Sequence, residues 1–102
     1  MKVIRTERAI EGIRNVAGYI ARTFGRQALQ EFQVRLQECT KLIKDNPGIG
    51  SVDWDVSTQE QQYLTILIYR RSWMVYRVEG EIIYIVDFYD TRKSNPSNKR
   101  YE

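Results

Sequence analysis

Apolar residues recur at steps of three and four in two stretches of the first half of the chain, which is the spacing of one face of an α-helix. The first stretch follows Thr6, whose hydroxyl can accept an unpaired backbone N–H and so cap a helix, and it ends at Gly25. The second stretch ends at Asn46-Pro47, because the residue before a proline is disfavoured in the helical region. The apolar positions are Ala9, Ile13, Val16, Ala17, Ile20, Ala21 and Phe24 in the first stretch and Leu29, Phe32, Leu36, Cys39, Leu42 and Ile43 in the second. The pattern predicts two antiparallel helices joined at Gly25.

The second half of the chain contains runs of β-branched and aromatic residues that predict strands over residues 63–69, 73–78 and 82–89. The runs are separated only by Arg70-Arg71-Ser72 and Glu79-Gly80-Glu81, and connections this short join antiparallel neighbours. A further short strand is predicted at Lys2–Arg5. The alternation of apolar and acidic residues over 51–57 predicts an edge strand.

The predicted order β-α-α-β-β-β defines a single α+β domain in residues 1–92, followed by a polar, basic tail in residues 93–102. In this fold class an N-terminal strand and an antiparallel helical hairpin pack on a mainly antiparallel sheet of three to five strands. Each helix has one apolar face, so the hairpin must cover one face of the sheet. The other sheet face is left partly open, and we expect the binding surface there.

Composition excludes several classes of chemistry. The 102 residues include one cysteine and no histidine, which excludes an internal disulfide, Cys- or His-based metal sites and catalysis by a Ser-His or Cys-His pair. We therefore expect neither a metal nor a cofactor. No apolar run reaches the roughly 20 residues of a membrane span, and Met1–Arg5 lacks the apolar region of a signal peptide. We expect a cytoplasmic protein with no membrane partner.

Charge is distributed unevenly around a net value of +3. Residues 1–50 carry a net +4, residues 51–91 carry −4, and residues 92–102 carry +3. A basic tail after a mildly acidic segment favours a polyanionic partner. The alternative is that a charge of this size serves solubility alone.

Basic and aromatic residues of the sheet half are the candidates for chemistry. In a meander the end of the last strand lies near the start of the strand before it, so Arg92 should approach the turn at Arg70–Ser72. Arginine binds phosphate through two parallel hydrogen bonds, and tyrosine rings stack on unpaired bases. The candidate catalytic residues are Arg70, Arg71, Tyr89 and Arg92, and the candidate nucleic-acid-binding residues are Arg77, Lys93, Lys99 and Arg100.

Several of these residues also have purely structural interpretations. Arg77 is expected to pair with Asp87 across the strands. Asp87 and Asp90 lie three apart on one strand, so they should point to opposite faces. Asp53 and Asp55 are expected on a solvated face, and Cys39 falls in an apolar helix stripe, which favours a core residue over a nucleophile.

The sequence NPGIG after the helical hairpin, followed by WMVYRVEGEIIYIVDFYDTRKSNP, resembles the RelE/ParE superfamily of type II toxin–antitoxin toxins. The similarity extends from the Lys2–Arg5 strand to about Pro96. The resemblance implies a small cytoplasmic bacterial toxin that a cognate antitoxin protein silences in a toxin–antitoxin hetero-oligomer. RelE-like members cleave mRNA in the ribosomal A site without metal or histidine, whereas ParE-like members poison DNA gyrase and are not nucleases.

The resemblance carries one catalytic residue of the RelE-like enzymes to this chain, namely the arginine that ends the last strand, which matches Arg92. Lysines of the first long meander strand are replaced by Thr65 and Leu67, and Met74 stands where many members have a cation. The C-terminal tyrosine is displaced: Asn98 falls near its place, and Tyr101 is the closest tyrosine.

Three functions remain open at this point, of which the first is the predicted function and the other two are alternatives to it. The first is a toxin that inhibits translation as a ribosome-dependent, metal-independent endoribonuclease, in which the arginines stabilise charge and Lys93 or Tyr89 moves a proton. The second is a non-catalytic, ParE-like inhibitor of DNA gyrase, which the missing lysines and Met74 favour. The third is a degraded toxin that binds only its antitoxin.

Overall fold

The computed structural model describes residues 1–92 and Tyr101. Its elements are β1 (Lys2–Arg5), α1 (Glu7–Phe24), α2 (Arg26–Asp45), a 3-10 turn (Pro47–Ile49), β2 (Ser51–Val52), β3 (Leu64–Tyr69), β4 (Ser72–Glu79) and β5 (Ile82–Asp90). The predicted element order is confirmed. Lys93, Asn98, Lys99 and Arg100 lie outside the described residues, so their predicted roles stay predictions.

The five strands form one sheet in the order β1-β5-β4-β3-β2. The three long strands make the predicted antiparallel meander, with β4 between β3 and β5. The N-terminal strand β1 runs parallel to β5, with Lys2 opposite Ile82 and Arg5 opposite Ile85. The sheet is therefore mixed and mainly antiparallel, as the fold class requires.

The two helices cover one face of this sheet. Thr6 caps α1 as predicted, because its hydroxyl accepts a hydrogen bond from the Ala9 N–H at 3.2 Å. Gly25 has φ 93°, a left-handed conformation that suits glycine and allows α2 to start directly after α1. The main core between helices and sheet includes Ile20, Phe32, Leu36, Cys39, Ile43, Met74, Tyr76, Ile83, Ile85 and Phe88. Cys39 is thus the core residue that its position predicted, and burial raises the pKa of its thiol.

The edge strand predicted over residues 51–57 is wrong beyond its first two residues. Only Ser51 and Val52 pair with β3, and the chain then turns at Asp53. The Asp53 carboxylate accepts the Asp55 N–H at 3.1 Å, and the Asp53 carbonyl accepts the Ser57 N–H at 3.1 Å. An aspartate side chain that accepts a hydrogen bond from the backbone two residues later stabilises a turn. This turn competes with strand pairing, and here it forms in spite of the alternating apolar and acidic residues. Trp54 is left 76% exposed at the turn.

The opposite face of the sheet is only partly open. A register shift between β4 and β5 at Val75/Tyr76 leaves Val86 as an extra residue of β5, which is a β-bulge. On this face Val75, Val86 and Tyr63 form a second small core, and four further side chains pack against it: Val56, Tyr84, Tyr89 and Tyr101. We call this surface the tyrosine face. Among the described residues, no helix combines the length and the apolar character needed to cross a membrane.

Gly12 marks the closest approach of α1 to the sheet. A Cβ atom at this position would collide with the backbone carbonyl of Phe88, which cannot move without disturbing β5. We expect Gly12→Ala to lower the free energy of unfolding by about 1–3 kcal/mol, as overpacking of a core does. A matched control is Gly18→Ala, where the added carbon meets only the flexible end of Arg22 and gains up to about 1 kcal/mol of helix propensity. Urea unfolding of both variants measures the difference, and equal stabilities would contradict the close contact.

Candidate functional site

Three of the predicted catalytic residues meet at one end of the molecule. The Thr91 N–H donates to the Arg71 carbonyl at 3.0 Å, which ties the end of β5 to the β3–β4 turn. The guanidinium carbons of Arg70 and Arg92 lie 4.2 and 5.0 Å from the centroid of the same ring, Phe24 at the end of α1. The predicted approach of Arg92 to this turn is therefore confirmed. We call Arg70, Arg71 and Arg92 together the arginine end.

Arg92 is held by a buried carboxylate at this end. Its Nε and Nη2 donate to the two carboxylate oxygens of Asp90 at 3.1 and 2.8 Å, and its backbone N–H donates to Oδ1 at 2.8 Å. Asp90 is 0% exposed and also accepts the Ser72 hydroxyl at 3.2 Å. Burial alone would raise the pKa of Asp90, but the hydrogen bonds and charge of Arg92, together with Ser72, outweigh it and lower that pKa. The ion pair in turn raises the pKa of Arg92.

Tyr89, the fourth predicted catalytic residue, lies on the other side of the sheet. It stands opposite Trp73 in the β4–β5 register and packs against the second core of the tyrosine face. Asp90, the next residue of β5, bonds instead to Ser72 and Arg92. The predicted catalytic set is therefore divided between the arginine end and the tyrosine face.

The expected pairing of Arg77 with Asp87 is wrong. Arg77 donates to the Glu79 carboxylate, and its guanidinium carbon lies 4.2 Å from the centroid of Tyr84, its direct partner across the strands. The bulge at Val86 shifts the register, so that Asp87 stands opposite Val75 instead. Arg77 remains on the tyrosine face, but with its charge neutralised by a carboxylate beside it.

Asp87 is instead part of a network that sequence reasoning missed. Its carboxylate accepts the Tyr101 hydroxyl at 2.6 Å, and Arg8 of α1 approaches it at 3.5 Å. The Tyr101 carbonyl accepts the Tyr63 hydroxyl at 2.8 Å, and the two rings lie 5.3 Å apart. Burial and then the hydrogen bond to Asp87 raise the pKa of the Tyr101 phenol. The one sequence signal for this contact was that Tyr101 is the tyrosine nearest to the family's C-terminal one.

The positions where the resemblance places catalytic cations carry neutral residues. Thr65 and Leu67 stand opposite Val75 and Trp73, which lie on β4 with their side chains away from the helices. Met74 is 0% exposed in the core between sheet and helices. It could not have presented a cation to the open face, and the β4 residue beside Leu67 on that face is Trp73. The residue at which the resemblance places a cation is therefore a core residue in this chain.

Among the described residues, Arg70 and Arg92 are thus held against the Phe24 ring, and this end shows no assembled acid–base pair. Within residues 1–92 and Tyr101, no cluster of carboxylate and thiol side chains is suited to hold a metal ion. At the arginine end, Asp90 is an ion-pair partner with a lowered pKa, which makes it a poor proton acceptor at neutral pH. The chemistry that this geometry supports is anion binding.

We expect Arg92→Ala to destabilise the fold, because it leaves the buried Asp90 carboxylate with only the Ser72 hydroxyl and backbone partners. A hydrogen bond to a charged group contributes about 1.5–3 kcal/mol, and the expected loss at neutral pH lies in that range. A double-mutant cycle with Asp90→Asn measures the pairwise energy in urea unfolding. Additive effects of the two substitutions would show that the ion pair contributes nothing.

The same ion pair should make stability depend on pH. The folded pKa of Asp90 is lower than its unfolded value of about 3.9, so the ionised form stabilises the protein above that pH. This contribution is lost as the pH falls below about 3.9 through the folded pKa. We expect Asp90→Asn to lose less stability than the wild type between neutral pH and acid. Parallel unfolding curves of the two proteins across this range would contradict the assignment.

Tyr101→Phe isolates the network on the tyrosine face. The substitution keeps the ring on Tyr63 and removes only the hydroxyl that donates to Asp87, so we expect a loss of about 1.5–3 kcal/mol. Thermal unfolding measures it, with Tyr84→Phe as a control on the same face. Equal melting temperatures for the wild type and Tyr101→Phe would show that the contact does not stabilise the fold.

Comparison with known proteins supports the fold. No family model matches this sequence, and no curated protein matches it. A solved structure of the chromosomal ParDE TA system from P. aeruginosa matches with a TM-score of 0.67 and 15% identity, over 88% of this chain and 95% of that one. The YoeB dimer from Staphylococcus aureus matches with a TM-score of 0.55 and 19% identity, over 85% of this chain and 92% of that one. The YoeB/ParE toxin from Agrobacterium tumefaciens matches with a TM-score of 0.57 and 17% identity, over 88% of this chain and 98% of that one. This chain therefore has the α+β fold of the RelE/ParE superfamily, the family that its sequence resembles.

Proposed function

We propose that the chain is the toxin of a bacterial toxin–antitoxin module and that it acts by binding its target without cleaving RNA. Its fold is shared with toxins of such systems over most of both chains. Binding without cleavage is supported by the separation of the predicted catalytic residues. Arg92 is bound to Asp90 at the arginine end, whereas Tyr89 lies on the tyrosine face. DNA gyrase is the target that the family resemblance offers for a non-catalytic member.

Cleavage of RNA through its 2′-hydroxyl requires a base, an acid and charge stabilisation at one phosphodiester. Arg70, Arg71 and Arg92 supply only the third of these. The positions at which the resemblance would bring further cations hold Thr65, Leu67 and Met74. Loss of one positioned acid or base typically costs about 10²–10⁴ in rate. The described part of the arginine end offers neither, which supports binding over cleavage.

Ribosome-dependent cleavage of mRNA is the second candidate, and the arginine end is the observation that favours it. Arg70 and Arg92 are held on one ring, where they could stabilise the negative charge of a phosphorane. In that case Lys93, beyond the described residues, would have to supply the proton transfer that the described part of the arginine end lacks.

The proposed partner is a cognate antitoxin in a hetero-oligomer, and the outer edge of β3 suits such a partner. Only Leu64 and Thr65 of this strand pair with β2, which leaves residues 66–69 at the edge of the sheet. Leu67 there is 43% exposed, and the Ile68 carbonyl accepts a hydrogen bond from the Arg35 side chain at 3.2 Å, which an added strand would have to displace. An extended antitoxin segment can add to a strand edge of this kind by main-chain hydrogen bonds.

The deciding experiment compares two assays with the same purified chain. We expect undiminished translation of a preformed mRNA in a cell-free system and inhibited supercoiling in a DNA gyrase assay. Tyr89→Phe and Arg92→Ala, each checked for folding, should leave the translation result unchanged because no cleavage takes place.

Mapped cuts in the mRNA that disappear in folded Arg92→Ala would contradict the binding mechanism and establish the nuclease. Normal supercoiling at saturating protein would remove gyrase as the target. Induction without growth arrest, in cells that lack the antitoxin, would contradict the toxin role itself and leave a chain that only binds its antitoxin.

A further inference from the structure

We propose that the loop before β3 binds a segment of a partner protein that presents arginine side chains. We call residues 53–62 the Trp54 loop. The inference goes beyond the proposed function, because it concerns a surface that includes neither the arginine end nor the edge residues 66–69 of β3. The Trp54 loop precedes β3 and the arginine end follows it, so the 6 residues of this strand, about 20 Å of extended chain, lie between them.

Trp54 is the most exposed large apolar side chain in the described part of the protein, at 76%. A side chain that remains so exposed contributes little to the stability of the fold. Tryptophan has a large apolar surface, and at protein interfaces it is among the residues whose truncation costs the most affinity. The position of Trp54 is therefore explained better by contact with another molecule than by folding.

The Trp54 loop is held in one conformation by hydrogen bonds on both sides of Trp54. The Asp53 N–H donates to the Tyr63 carbonyl at 2.8 Å, and the Ser57 hydroxyl accepts the Tyr63 N–H at 2.9 Å. Val56 packs against the second core of the tyrosine face and anchors the loop to the sheet. An ordered loop thus presents Trp54, so that binding requires little further ordering of this side of the interface.

The charge around Trp54 selects a cationic partner. Residues 51–69 contain three acidic residues, Asp53, Asp55 and Glu60, and no lysine or arginine, so this segment carries −3 in a chain of net charge +3. Asp55 and Glu60 are exposed and form no ion pair within residues 1–92 and Tyr101. Exposed carboxylates repel an acidic partner and attract a basic one.

A cleft of about 590 Å³ beside Trp54 gives a basic segment room to lie against the ring. Apart from Trp54, the cleft is lined by polar side chains, namely Ser57, Thr58, Gln59, Glu60 and Gln62. Their oxygen atoms can accept hydrogen bonds from a guanidinium group, while the Trp54 ring holds its face by a cation–π contact. Arginine suits this combination better than lysine, because its planar group stacks on aromatic rings and donates several hydrogen bonds at once.

The test adds the purified chain to a short labelled peptide of alternating arginine and glycine and follows its fluorescence anisotropy. We expect binding that weakens as salt is added, and no binding of the matching glutamine–glycine peptide. Trp54→Ala should weaken binding by about 5- to 30-fold, and Asp55→Asn and Glu60→Gln by about two- to fivefold each. Trp54→Ala should melt at the wild-type temperature, because the side chain that it truncates is mostly exposed.

Two control variants change α1, on the helical side of the sheet. Glu11→Gln removes an exposed carboxylate there, and Ile10→Ala truncates an apolar side chain that is 44% exposed. Both should bind the arginine peptide as the wild type does.

The proposal is overturned if the wild type does not bind the arginine peptide, if it binds the glutamine peptide equally well, or if Trp54→Ala binds unchanged. It is also overturned if either control variant weakens binding as much as Trp54→Ala. Analytical ultracentrifugation of the chain alone should show no association that depends on Trp54. Self-association that is lost in Trp54→Ala would contradict the proposal, because the loop would then bind a second copy of this chain.

Discussion

A buried carboxylate at the end of β5 organises the part of the molecule that matters most for function. Asp90 is fully buried, and an ionised group in such a place is tolerated only when it is paired and hydrogen-bonded. Ser72 from the start of β4 and Arg92 from the end of β5 supply these partners. Because Arg92 must stay on Asp90, its guanidinium lies against Phe24 of α1, and the backbone of Thr91 stays on Arg71. One electrostatic requirement thus joins α1, the β3–β4 turn and the end of the sheet.

The bulge at Val86 separates the two acidic residues of β5 into two networks. Asp87 reaches Tyr101 and Arg8 on the tyrosine face, whereas Asp90 serves the arginine end. Each carboxylate is occupied by hydrogen bonds from neighbouring side chains. Both carboxylates are therefore used in contacts that stabilise the fold, whereas Arg70 and Arg71 form no ion pair within residues 1–92 and Tyr101.

Sequence reasoning predicted the elements well, since two helices with clear apolar stripes and three β-branched runs are decided by periodicity. It predicted the position of Arg92 because the meander dictates which strand ends meet. It failed where a single side chain or a one-residue shift decides the outcome. Asp53 turned a predicted strand into a turn, and the bulge at Val86 moved Asp87 away from Arg77. The contact of Tyr101 with Asp87 joins residues that no periodic pattern connects.

Arg92 shows why a match to a family motif identifies a position but not its role. The arginine at the end of the last strand can stabilise a phosphate only to the extent that its charge is not already used. In this chain Asp90 lies two residues before it and takes two of its donors at 2.8 and 3.1 Å. An arginine bound in this way stabilises the fold, and its charge is already partly compensated. Arg70 and Arg71 form no such ion pair within residues 1–92 and Tyr101, so they carry positive charge at this end that the motif itself does not single out.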